Sequence, residues 1–158
     1  MRILVVSDSH GNEELLFKAH KQAGIIDALI HTGDGEQDTR LLEESLGEKV
    51  LRVAGNCDHT SDAPRELMVT LAGKRILIVH GDRYLVKNGL EQLMAQGKAT
   101  GADVILFGHT HIALAEQRDG IQLLNPGTLW VRAPFLSYGI LEITPESITG
   151  TIHQLSTQ

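Results

Sequence analysis

The chain has 158 residues, of which 42% are hydrophobic and 22% charged, with a formal net charge of -6. That length suits one folded unit with one core, and the composition is that of an ordinary globular protein, so disorder over most of the length is excluded. The acidic balance and the lack of any Lys/Arg cluster exclude a protein that grips nucleic acid through its backbone by default.

The N-terminal apolar run, Ile3 to Val6, is too short for a signal peptide, and no stretch is long and apolar enough for a membrane span. Cys57 is the sole cysteine, which rules out an internal disulfide and a multi-cysteine zinc cluster. The plain expectation is a cytoplasmic protein that spans residues 1–158 as one domain without a cap.

In chain order, Ile3–Val6 is a β-branched run that ends at Ser7-Asp8-Ser9-His10. Asn12 is placed to cap a helix over roughly 13–24, with Leu15, Leu16, Ala19 and Ala23 on one face. Ala28–Ile30 predicts a second strand, ending at His31-Thr32-Gly33-Asp34-Gly35, and a helix is expected over 38–46. Val50–Val53 predicts a third strand, ending at Gly55-Asn56-Cys57-Asp58. Leu67–Leu71 and Arg75–Val79 read as adjacent strands joined at Gly73-Lys74. A helix over 86–98 is predicted from Val86, Leu90, Leu93 and Met94. Val104–Phe107 is a buried-type strand that ends at Gly108-His109-Thr110-His111, and strands follow at 112–117, 121–124, 137–143 and 147–154. Asp119-Gly120 marks a hairpin. Helices alternating with strands, then a strand-rich half, predict an α/β protein with a mixed sheet or two packed sheets. In such folds ligands bind beyond the carboxyl ends of the strands, where each polar cluster lies.

Asp8 and His10 stand at i and i+2, so an extended strand end presents both to one point. His109 and His111 repeat that geometry. Alone, either pair reads equally well as a solvated turn. Together, Asp8, His10, Asp34, Asn56, His80, His109 and His111 all follow apolar runs, and all offer oxygen or imidazole nitrogen, which suits Mn, Fe, Ni, Co or Zn. Gly33, Gly35, Gly55, Gly81 and Gly108 accompany them, small enough to let loops approach an ion.

As a set, Asp8-x-His10, Gly33-Asp34, Gly55-Asn56-x-Asp58, His80 and Gly108-His109-x-His111 resemble, in order, the five motifs of the calcineurin-like metallophosphoesterases. The shortness of the chain and Asn125-Pro126-Gly127-Thr128 resemble the small YfcE-type phosphodiesterases. The resemblance implies an αββα sandwich of two mixed β-sheets flanked by helices. It implies two divalent ions per chain, Mn first among the candidates. Asp8, His10, Asp34 and His111 would hold one, and Asp34, Asn56, His80 and His109 the other, with Asp34 bridging a pair about 3.5–4 Å apart. The reaction implied is attack of a metal-bridging hydroxide on a small phosphodiester, with Asp34, Asn56 and His109 acting through the ions and no Ser or Cys nucleophile. A phosphomonoesterase and a non-catalytic scaffold like the small retromer subunit are the alternatives. A homo-oligomer is a possible assembly, with no strong nucleic-acid or membrane partner.

Two positions depart from the wider superfamily. Cys57 stands where many members have the His held to protonate the leaving group, which leaves His59 as a secondary candidate. Asp82 replaces the second His of an H-G-H pattern, and is either a support for His80 or a turn residue. Cys57, Asp58 and Asp82 are expected around the ligands rather than among them. Of the other histidines, His20 and His153 are expected at the surface and His31 beneath the site. Cys57 is expected to be buried, Trp130 and Phe135 to be in the core or, as the alternative, in an apolar patch for substrate or oligomer contact, and Glu43, Glu44 and Glu48 to form a solvated helix face.

Overall fold

A computed structural model of the chain describes residues 1–157. Its first sheet contains β1 (Arg2–Val6), β2 (Ala28–His31), β3 (Val50–Arg52), β9 (Ser137–Ile143) and β10 (Ile148–Gln154), in the order β10-β9-β1-β2-β3. The second contains β4 (Glu66–Leu71), β5 (Lys74–Val79), β6 (Val104–Leu106), β7 (Leu114–Arg118) and β8 (Ile121–Asn125), in the order β4-β5-β6-β8-β7. Both are mixed. Strands β1, β2 and β3 run parallel, as do β5, β6 and β8; β9 is antiparallel to β1 and β10 to β9, while β4 and β7 are antiparallel to β5 and β8. Helices α1 (Glu13–Ala23), α2 (Glu36–Leu46) and α3 (Glu91–Thr100) complete the set.

Strand parity builds the layers. From β1, Ile3 and Val5 point between the sheets, where they meet Ile76, Ile78, Val104, Leu106 and Leu124. Leu4 and Val6 point outward and pack with Leu15, Leu16, Ala19 and Ala23 of α1. On the far side, Leu77, Ile105 and Leu123 meet Leu93 and Met94 of α3. Both faces of the central strands are therefore covered, which is why β1 reads as an unbroken apolar run rather than an alternating one. The layers are helix, sheet, sheet, helix: the αββα sandwich.

The Asn12 side chain caps α1 by accepting from the Leu15 N–H at 3.1 Å. Helix α2 starts two residues before the expected 38, because the Asp58 carboxylate, distant in sequence, accepts the N–H groups of Gly35 and Glu36. The helix expected over 86–98 begins only at Glu91. Leu85 at φ 51° and Gly89 at φ 139° interrupt it, and Val86 is buried by packing on the turn at Gly81 instead. No helix of the described residues is long and apolar enough to cross a membrane.

Candidate metal centre

Because β1, β2 and β3 are in parallel register, their carboxyl ends stand level, and those of β5 and β6 face them from the other sheet. The loops leaving these five ends carry all seven candidate ligands. Asp8 and His10 follow β1, Asp34 follows β2 and Asn56 follows β3, while His80 follows β5 and His109 and His111 follow β6. Asp8, Asp34 and His80 are almost completely buried.

The side chains converge in two overlapping groups. His111 Nε2 lies 3.1 Å from Asp8 Oδ1, and His10 Nε2 lies 3.8 Å from that oxygen and 3.3 Å from His111 Nε2. His80 Nε2 lies 3.4 Å from Asp34 Oδ2, 3.0 Å from Asn56 Oδ1 and 3.2 Å from His109 Nδ1. Asp8, His10 and His111 form one cluster with metal-holding geometry, and Asp8, Asp34 and His80 form another.

The donor set fits a cation. His80 Nδ1 donates to the Thr32 carbonyl at 2.9 Å, which leaves Nε2 as a lone pair. That lone pair faces oxygen acceptors on Asn56 and Asp34, an arrangement that repels unless a proton or a metal ion sits among them. In the metal-free protein the proton is favoured. Burial opposes it, but the Asp34 and Asp8 carboxylates outweigh burial and raise His80 above its usual range. Burial likewise works to raise Asp34, yet His80 and the Cys57 N–H hold that carboxyl well below the ordinary carboxylate range. Asp8 is held low against burial by His111, His80 and Ser7. His109 is lowered by burial and by the neighbouring His80.

Backbone conformation at the cluster is unusual. Asp8, His10, Asp34, His109 and His111 all have positive φ, between 47° and 66°. Left-handed conformations at non-glycine residues gather at functional sites, where surrounding contacts hold them. Gly55 and Gly108 serve a different need: a Cβ at Gly55 would collide with the Asp34 carboxylate, and one at Gly108 with Ser7 Oγ and, at 2.7 Å, with Asp8 Oδ2.

The surrounding contacts are specific. Asp58 Oδ2 accepts from the N–H groups of Asp34 at 2.7 Å and Gly55 at 2.8 Å, tying the β2 and β3 loops together. Thr128 Oγ1 donates to the Asp8 carbonyl at 3.0 Å, and Asn125 Nδ2 donates to the Gly108 carbonyl at 3.0 Å, so the Asn125–Thr128 turn braces the β1 and β6 loops. Asp38, which sequence reasoning passed over, accepts from Ser9 Oγ and from the Gly11 N–H at 3.0 Å. Its only signal was an acidic residue in the first turn of a helix that begins at the site. Asp82 opens a short 3-10 turn (Asp82–Tyr84), and its carboxylate pairs with Arg65 rather than with a ligand. Arg65 in turn donates to the Gly55 carbonyl. His31 lies fully buried beneath the loops, bonded to Ser9 and to the Gly33 N–H, as its parity implied.

Three expectations of burial need correction. Cys57 is exposed at the edge of the cleft, although its backbone N–H donates to Asp34 at 2.7 Å and its thiol lies beside Asp34 and His10. Trp130 and Phe135 are also exposed, since the segment after Thr128 runs over the surface before re-entering at Ser137. Glu43 is not simply solvated: it pairs with Arg52 at 2.7 Å and accepts the Val50 N–H. His20 and Glu48 pair at 2.9 Å, and His153 stacks on Tyr138. A cleft of about 310 Å³ opens beside the cluster, lined by His10, Asp34, Cys57, His59, Thr60 and Ser61 among others.

Comparison with known proteins agrees with this geometry. The family model for the calcineurin-like phosphoesterase superfamily domain matches residues 1–146. The chain is 38% identical over 154 residues to the probable metallophosphoesterase YsnB of Bacillus subtilis, across 94% of this chain and 88% of that one. It is 29% identical over 169 residues to the phosphodiesterase YfcE of Escherichia coli, across 90% of this chain and 88% of that one. A solved structure from Streptococcus pneumoniae, described as a conserved uncharacterized protein and predicted phosphoesterase, superposes with a TM-score of 0.83 at 26% identity, covering 97% of this chain and 88% of that chain. Motif order, sandwich and convergent loops thus have one common source: the chain belongs to the calcineurin-like phosphoesterase superfamily.

Proposed function

We propose that this protein is a metal-dependent phosphodiesterase that works with two divalent ions, manganese being the first to test. The observation that carries the reading is the convergence of two buried carboxylates, Asp8 and Asp34, with imidazole nitrogens on loops from both sheets. Asp8, His10, Asp34 and His111 would hold one ion, and Asp34, Asn56, His80 and His109 the other. Bound there, a pair of divalent ions supplies Lewis acidity and makes a hydrolytic nucleophile from water near neutral pH.

The chain's own groups do the rest. Asp34 lies between the two groups and brings the negative charge that offsets repulsion between dications. Asn56 fills a position without adding charge. Asp58, Thr128 and Asn125 hold the loops against movement. His59 lines the same cleft as His10 and Asp34, and in this proposal it is the group that hands a proton to a departing alkoxide. Cys57 is unsuited to that task, because burial and the nearby Asp34 push its thiol up to about 11. The cleft has no cap over it in this reading, so small diesters reach the site from solvent.

The test strips the protein with chelator, then follows bis(p-nitrophenyl) phosphate hydrolysis with Mn, Ni, Zn or Mg added singly. Activity returns to the wild type and not to Asp34→Asn. Absence of activity with every metal overturns the diesterase reading, and p-nitrophenyl phosphate then separates a monoesterase from a scaffold.

A further inference from the structure

The two flanks of the candidate metal centre differ in chemistry. On one side lies the polar cleft, with Gln37, His59, Thr60 and Ser61 in its lining. Trp130, which is not in that lining, stands beside the candidate ligands, its ring centroid 6.1 Å from that of His10 and 5.8 Å from that of His111. The indole meets both imidazoles edge-on, inclined 62° and 63° to them. It is still 37% exposed.

Trp130 is also held in place. Its backbone N–H donates to Thr128 Oγ1 at 3.0 Å, the same hydroxyl that donates to the Asp8 carbonyl. The Leu129 N–H donates to the Ser7 carbonyl at 3.2 Å, and the Trp130 carbonyl accepts from Ala133 at 2.8 Å. The residue is therefore built onto the floor of the site. Two aliphatic side chains extend the apolar character: Val131 is 62% exposed, and Ile112, adjoining His111, is 72% exposed. Apolar surface left in water beside charged ligands marks a contact surface, and an ordered indole offers the face on which planar rings stack.

We infer that Trp130 is a specificity-determining residue: the retained arm of the diester lays a planar ring, aryl or nucleobase, against the indole, while the departing arm lies in the polar cleft beside His59. This rests on the phosphodiesterase reading above. The assignment of arms follows from the cleft lining, which includes His59 and not Trp130.

The metal-loaded enzyme is tested on thymidine 5′-(p-nitrophenyl phosphate), bis(p-nitrophenyl) phosphate and ethyl p-nitrophenyl phosphate. All three release the same group and differ only in the retained arm. Trp130→Ala should lower kcat/KM about 10-fold on the first two, mainly through KM, and change the ethyl ester less than about 2-fold, which is the effect of removing one stacking partner. Trp130→Leu, which keeps apolar bulk without a π face, should show most of the same loss. A loss on thymidine alone assigns a nucleoside arm, and an equal loss on both planar arms assigns any flat ring.

Trp130 is the only tryptophan, so its fluorescence gives a readout separate from activity. Thymidine 5′-monophosphate should quench it in the metal-loaded protein, and ethyl phosphate should not. Equal loss on all three esters would make Trp130 a mere support for His10 and His111, and would overturn the inference, as would no loss on any. Wild-type enzyme inactive on all three esters would sink the diesterase reading instead, and the quenching experiment would still decide whether a ring meets the indole.

Discussion

The replacement Asp58→Asn changes one oxygen to an amide nitrogen and leaves size and shape alone. In the native chain Oδ1 accepts from Gly35 at 3.0 Å and Glu36 at 3.2 Å, and Oδ2 accepts from Asp34 at 2.7 Å and Gly55 at 2.8 Å. Each oxygen thus receives two N–H groups. An asparagine satisfies one pair whichever way its amide turns, and points its own N–H donors at the other pair. Two charge-assisted hydrogen bonds are lost, each contributing about 1.5–3 kcal/mol when such partners are buried. Asp58 is only half-buried and water reaches part of the loop, so the net loss should be about 3 kcal/mol. For a domain of this size that lowers Tm by about 6–12 °C. Because the Asp34 N–H is one of the four, the same change should weaken metal binding about 10- to 100-fold, the usual cost of removing a group that orients a ligand. Thermal unfolding of the chelator-stripped protein and a competitive metal titration measure the two effects. A variant that melts within about 1 °C of wild type would show that these hydrogen bonds are not what holds the β2 and β3 loops together.

Three further outcomes are expected. Gly108→Ala should leave the far-UV circular dichroism intact and weaken metal binding at least about 10-fold, since its methyl would press on Ser7, on Asp8 Oδ2 at 2.7 Å and on Thr32 Oγ1 at 2.9 Å. Cys57→Ser should change hydrolysis of p-nitrophenyl and alkyl diesters equally and little, because burial and Asp34 keep the thiol neutral and a serine keeps the backbone N–H that bonds Asp34. A selective loss on alkyl esters in a steady-state comparison would restore Cys57 as the acid. Metal affinity should rise with pH, because an ion displaces the His80 proton that Asp34 and Asp8 favour despite burial. In the metal-free protein the folded value of His80 lies above its usual 6.5, so its contribution to stability is complete below 6.5 and is lost as pH rises through the folded value. Asp8 and Asp34 have the opposite sign: their folded values lie below 3.8, so their contribution is present above that pH and is lost as pH falls through the folded values. Urea unfolding of the stripped protein across the pH range measures both limbs.

The loops that carry the candidate ligands could be read from the sequence because each β-branched run is short and stops abruptly at polar residues, as Ile3–Val6 does at Ser7-Asp8. Burial on both faces makes such runs conspicuous. The layers followed from helical spacing such as Leu15, Leu16, Ala19 and Ala23, all buried in α1. What the sequence concealed depends on long-range partners. The start of α2 is set by Asp58, twenty-two residues beyond Glu36, which no local capping rule could supply. Val86 shares the spacing of α3 but packs on a turn, since Leu85 and Gly89 take positive φ. Asp38 looked like any first-turn carboxylate until Ser9 and Gly11 folded onto it. Trp130 and Cys57 were expected inside on hydropathy alone, and both face out, because the loops that carry them are shaped by the cluster rather than by the core.

That shaping explains why so much of the polar structure serves so few residues. Five ligand residues in left-handed conformations cost about 1–2 kcal/mol each against relaxed backbone. The total is comparable to the whole stability of an ordinary domain, about 5–15 kcal/mol. Backbone hydrogen bonds that continue from the sheets into the loops, such as Asp8 N–H to the Gly33 carbonyl and Gly108 N–H to the His80 carbonyl, both at 2.9 Å, offset part of this strain. Side chains around the loops offset the rest: Asp58 on the β2 and β3 loops, Asp38 on the β1 loop, and Thr128 and Asn125 on the β1 and β6 loops. The same groups hold Asp8 and Asp34 at 4.0 Å and 3.4 Å from His80 Nε2, where the proton that these carboxylates favour on the imidazole takes the place of a cation. A cation entering the cluster meets ligands already aimed and already strained, so little of its binding free energy is spent on rearrangement. The αββα core, on this view, is the rigid frame for five loops whose shape only a cation can fully justify.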